Sequence, residues 1–178
     1  MCLTIVEYLQ PLTNTTPARR NSRVQRGARF YSVRIDKDEL LETDKFHEKI
    51  LATMHHEEYA KTFGGYGQTP EYAYYNFQAM VVRMREKGFQ HNDFKQENAD
   101  VRLFPHPDTP FRLYALQWRN FAILGNGGIK PTEKRTYQEI PDLKYACDQL
   151  LKLDRKIKHR GLTFCDDYFT CDDDDFYF

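Results

Sequence analysis

The stretch Phe111-Arg112-Leu113-Tyr114-Ala115-Leu116-Gln117-Trp118, then Arg119-Asn120, then Phe121-Ala122-Ile123-Leu124 and Gly125-Asn126-Gly127-Gly128 decides the fold class. It reads as two strands joined by a tight turn at Arg119-Asn120, with the glycines ending the second strand in backbone that tolerates positive φ. Alternation along the first strand places Phe111, Leu113, Ala115 and Gln117 on one face and Arg112, Tyr114, Leu116 and Trp118 on the other. A further strand is expected around residues 101–104, separated by the Pro-rich link Pro105 to Pro110.

Upstream of the hairpin the apolar period is helical. Phe46, Ile50 and Met54 recur every four residues, on a helix starting near Asp38 or Asp44. Gly64, Gly65, Gly67 and Pro70 interrupt the chain. A second helix begins near Glu71, with Ala73, Phe77, Met80, Val81 and Met84 facing inward and Gly88 as its stop. Before both, residues 30–35 suit a strand. Downstream, Leu143, Ala146, Cys147, Leu150, Leu153 and Ile157 form the stripe of a closing helix from about Asp142 to His159. The expected class is α+β: a small antiparallel sheet with two N-terminal helices and a closing C-terminal helix, in the order βααβββα.

At 178 residues the chain has room for one domain plus extensions. Residues 1–28 read as a flexible Arg-rich arm, 29–163 as the domain and 164–178 as an acidic tail. The formal net charge is zero, yet it is segregated: residues 1–35 carry +5, 36–100 carry −5, 101–160 carry +6 and 161–178 carry −6. The tail is expected to lie back over the basic 101–160 region and compete with nucleic acid. No run approaches the roughly 18 apolar residues of a membrane span. The first dozen residues lack the order of a secretory signal, so a cytoplasmic location without membrane association is expected. Four scattered cysteines with no C-x-x-C pair suggest reduced thiols.

Two motifs fail on context. His91-Asn92-Asp93-Phe94-Lys95-Gln96-Glu97-Asn98 has the spacing of a kinase catalytic loop, but no Asp-Phe-Gly follows and no strand lysine precedes it. His55-His56 with Glu57 and Glu58 lacks the i, i+4 pairing that clamps zinc. The third feature is the basic block of Arg112, Arg119, Lys130, Lys134 and Arg135 with Tyr137, beside Tyr114 and Trp118. Metal-free RNA cleavage needs a base for the 2′-hydroxyl, cations for the phosphate and an acid for the leaving oxygen, and Lys, Arg and Tyr can fill those roles. The ordinary alternative is a charged rim around a sheet.

The order of elements, with Phe111 to Leu116 and Phe121 to Lys130, resembles the RelE/ParE superfamily of bacterial toxins, in its HigB-like or RelE-like branch. There a hairpin runs into a glycine turn and a lysine, then a Thr/Lys-rich stretch, a glutamate and a closing helix, as Thr132 to Glu139 and Asp142 to His159 do here. The resemblance implies the toxin of a type II toxin-antitoxin pair. Its implied activity is metal-independent endoribonuclease cleavage of mRNA at the ribosome, and its implied partner is a small cognate antitoxin. It implies catalytic roles for Lys130, Arg112 and Tyr137, RNA contacts for Arg119, Lys134, Arg135, Tyr114 and Trp118, and no cofactor or metal. The alternative is a non-enzymatic binding module of the same fold, either an inhibitor of a gyrase-type target or a degenerate protein-binding relative. Convergence of Arg112, Lys130 and Tyr137 on one phosphate position favours the enzyme, and dispersal favours the module.

Overall fold

A computed structural model describes residues 3–9, 27–36, 38–97, 101–104, 109–118, 121–132, 136–159 and 176–177. Strands β1 (Leu3–Leu9) and β2 (Arg29–Ile35) come first, followed by helices α1 (Glu42–Thr53), α2 (Glu57–Gly65) and α3 (Pro70–Lys87). Strands β3 (Lys95–Gln96), β4 (Arg102–Phe104), β5 (Phe111–Trp118) and β6 (Phe121–Ile129) precede a short 3₁₀ turn (Tyr137–Glu139), helix α4 (Pro141–His159) and strand β7 (Phe176–Tyr177). The sheet runs β3-β4-β5-β6-β2-β1-β7.

The class is α+β, as the sequence indicates, but the sheet is mixed. β6 pairs antiparallel with β5 on one side and parallel with β2 on the other, with Tyr31 opposite Ile123 and Ser32 opposite Leu124. Parallel neighbours need a long connection, and the helices and meander between β2 and β6 supply it. Two further corrections concern the ends. Leu3–Leu9, within the span expected as an arm, pairs antiparallel with β2 from Leu3–Ile35 to Leu9–Phe30. The final strand runs along β1, with Thr4 opposite Tyr177 and Ile5 opposite Phe176, so β1 and β2 separate it from the β5–β6 region it was expected to cover. Residues 10–26 and 160–175 lie outside the described residues.

Both faces of the sheet are covered. One face packs Phe30, Phe111, Leu113, Ala122 and Leu124 against Phe46 and Ile50 of α1, Phe63 of α2 and Ala73, Phe77 and Met84 of α3. The other packs Tyr31, Val33, Tyr114, Leu116, Phe121 and Ile123 against the α4 stripe of Leu143, Ala146, Cys147, Leu150, Leu153 and Ile157. Each large apolar side chain so buried contributes about 1.5–3 kcal/mol relative to exposure. Local chemistry sets the boundaries of α3: the Thr69 hydroxyl accepts from the Tyr72 amide at 3.3 Å, Pro70 begins the first turn, and Gly88 at φ 77° stops the last. The helix end also anchors the sheet, because Met84 O accepts from the amides of Gly88 and Ala28, each at 2.8 Å.

Gly125-Asn126-Gly127-Gly128 does not end the second strand of the hairpin. β6 continues to Ile129 through a bulge in which Gly125 and Asn126 together face Tyr114. α4 lies directly on this backbone: a Cβ on Gly125 would sit 2.9 Å from Leu150, and one on Gly128 would sit 3.3 Å from Leu143. At Gly127 a Cβ would fall 1.7 Å from the Arg112 carbonyl oxygen. The run of glycines is therefore accounted for by close packing.

Candidate functional site

The bulge sets the surroundings of the expected phosphate site. Asn126 Oδ1 accepts from the Gly127 amide at 2.7 Å, while Asn126 Nδ2 donates to the buried carboxylate of Glu42 at 3.0 Å. Lys45 donates to the other Glu42 oxygen at 2.7 Å, and Lys49 donates to Gly127 O at 3.3 Å and Asp142 at 3.2 Å. These polar contacts tie α1, β6 and α4 together where the ladder is interrupted. A buried carboxylate of this kind is tolerable only with such partners.

Arg112 stands at the end of β5, opposite Gly128. Its guanidinium folds back on the chain: Nη1 donates to Phe111 O at 2.8 Å and to Thr109 O, and Nη2 donates to the Tyr66 hydroxyl at 3.3 Å. Only 7% of the residue is exposed. The carbonyls thus hold the cation that was expected to meet a phosphate, and in this arrangement it fastens β5 to the end of α2. Lys130 leaves β6 at the same end of the sheet, its amide donating to Pro110 O at 2.9 Å, with its side chain half-buried.

The expected stacking rings are also drawn into the fold. Tyr114 has no exposed surface and lies in the α4-side core, so it presents no face to a base. Burial pushes its hydroxyl pKa far above the ordinary value, with the nearby Glu97 charge adding to the effect. Tyr137 meets Tyr114 edge to face with centroids 5.9 Å apart and rests partly buried on the same core. The turn carrying it is closed by Glu139, whose Oε1 accepts from Thr136 N at 3.2 Å and Thr136 Oγ1 at 3.1 Å. Trp118 is half-buried and stacks on Phe121 at 5.3 Å. Arg119, Lys134 and Arg135 lie outside the described residues. Arg112 and Lys130 therefore share one end of the β5–β6 pair, whereas Tyr137 packs on the α4-side core beneath Tyr114.

The kinase-like motif has a structural use. Asp93 is buried, accepts from the Gln90 amide at 2.6 Å and pairs with Arg83 of α3, closing the loop after that helix. Among the described residues no three His, Cys, Asp or Glu side chains stand together to hold a metal ion. No helix there is long and apolar enough to cross a membrane.

A second site was not legible in the sequence. A cavity of about 170 Å³ opens between α1 and α3, walled by Phe77, Val81, Val82, Leu113 and Leu124, with Tyr8, Thr43, His47 and Gln78 as its polar members. His47 Nδ1 lies 2.8 Å from the Tyr74 hydroxyl, which also receives a hydrogen bond from Gln78. Burial lowers the His47 pKa, with the Asp44 charge partly opposing it. Burial likewise raises that of Tyr8, pushed up to about 12 with help from the charge of Asp44 and a hydrogen bond to it. His47 and Tyr74 are 27 positions apart, and Tyr8 belongs to a strand that was not expected; only the four-residue period of Phe46 and Ile50 hinted that position 47 borders the core.

No family model, curated protein or solved structure matches the chain.

Proposed function

We propose that this chain is a RelE/ParE-like module of the toxin-antitoxin kind that acts by binding a protein target and is held in check by a small cognate partner. The observation that carries this reading is the state of Arg112: its guanidinium is turned inward onto backbone carbonyls and Tyr66, with 7% of the residue exposed, so it is not held out toward a phosphate. Support for a protein partner comes from α3, where Tyr72, Tyr75 and Val82 are 56%, 67% and 44% exposed along one side of the helix. Exposed aromatic side chains in a line are the kind of surface that protein interfaces use.

The test pairs induction with rescue. Inducing the chain in its host arrests growth, and co-expression of the partner relieves the arrest. The double variant Tyr72→Ala/Tyr75→Ala, altered only on the helix surface, still arrests growth but loses the relief. Abundant folded protein without any growth effect contradicts the reading.

The second reading, a metal-independent endoribonuclease, is favoured by a different observation: Lys130 and Arg112 stand at the same end of the β5–β6 pair. In that reading the guanidinium releases its carbonyls when RNA arrives, and Lys130→Ala lowers cleavage on the order of 100-fold with the fold intact.

A further inference from the structure

We propose that the cavity between α1 and α3 is a binding site for a small aromatic molecule of one ring or two fused rings, its affinity raised where it carries an oxygen able to accept a hydrogen bond from His47. Size comes first. At about 170 Å³ the space is slightly larger than the roughly 150 Å³ apolar cavity known to take up benzene, and it is too small for a nucleotide or a peptide side.

The walls set the ligand's chemistry. Phe77, Val81, Leu113 and Leu124 give water few partners, so a flat apolar body fills the space better than solvent does. Two of these, Leu113 and Leu124, come from the central strands β5 and β6, so the floor of the cavity is as rigid as the sheet.

The polar groups supply orientation. Thr43 is already committed, its hydroxyl 2.6 Å from that of Ser32. Gln78 donates to the Tyr74 oxygen, and when the Tyr74 hydroxyl in turn donates to His47 Nδ1 that ring nitrogen is the acceptor of the pair. The imidazole then carries its proton on Nε2, the ring's remaining polar atom, and a ligand oxygen accepts from it. Val82, 44% exposed, stands on the rim and marks the way in from solvent. Tyr72 and Tyr75 do not line the cavity, so the partner test on α3 and the ligand test here fail separately.

The experiment uses the full chain with phenol, indole and benzene as probes, followed by thermal unfolding and by NMR contacts between bound indole and the methyl groups of Leu113 and Leu124. All three probes are expected to raise the unfolding temperature saturably, phenol binding about fivefold tighter than benzene through one hydrogen bond. His47→Leu should remove that preference while leaving benzene binding in place. Val82→Trp, a rim substitution, should abolish binding of all three with the circular dichroism spectrum unchanged. The proposal is overturned if no probe gives a saturable shift, if Val82→Trp binds as the parent does, or if bound indole shows its contacts elsewhere than at Leu113 and Leu124. The NMR contacts in the parent decide the matter even where a variant fails to fold.

Discussion

Gly127 has no room for a side chain, since a methyl group there would overlap the Arg112 carbonyl of the neighbouring strand. Gly127→Ala should therefore force β5 and β6 apart, at a cost of about 3 kcal/mol in urea unfolding. Gly125→Ala meets side-chain atoms alone, Leu150 Cγ and Cδ1 at 2.9 Å each, which α4 can accommodate by a small shift, and should cost about 2 kcal/mol. Equal losses would contradict the close pairing of Gly127 with the Arg112 carbonyl. His47 offers a test of a different kind. Its pKa is held below 6.5 by burial, so the unfolded chain takes up that proton first as pH falls. The associated stability is complete above pH 6.5 and declines as pH drops toward the folded value. His47→Asn should flatten the stability profile between pH 7.5 and the acid limb, and a variant profile parallel to the parent's would show that His47 titrates freely.

At the scale of elements, Thr69→Ala should cost about 1 kcal/mol by leaving the Tyr72 amide without its acceptor, whereas a cap merely decorating α3 would leave the midpoint where it was. The helices that could be read from the sequence are those with a sustained stripe. Phe46 and Ile50, Ala73 through Met84, and Leu143 through Ile157 each mark one buried face, and Gly88 marks an end. α2 escaped because its nine residues bury only Thr62 and Phe63, and its last turn contains Gly64 and Gly65, which look like a break. β1 escaped because its partner β2 lies more than twenty residues on, beyond local pattern. The bulge in β6 escaped for a deeper reason: glycines that permit a turn and glycines that permit close packing look the same until the helix above them is known. For the same reason Arg112 was legible as a cation but not as one folded back on Thr109 and Phe111.

At the scale of the molecule, the structure combines a mixed sheet buried on both faces with an N-terminal layer of three helices and a single helix behind. The chemistry that the charge pattern suggested is partly absorbed by that architecture, because Arg112 and Tyr114 of β5 are buried within it. Among the described residues the aromatic side of α3 faces outward, and it is the surface assigned above to the neutralising partner. The most direct measurement is cleavage of mRNA on ribosomes by the purified parent chain, with new 5′ ends mapped against a protein-free control. A chain that acts by binding protein produces no new ends at any concentration of the purified parent. Cleavage by the parent that disappears in Lys130→Ala or Arg112→Ala, with both variants folded, would contradict it and make the chain an endoribonuclease.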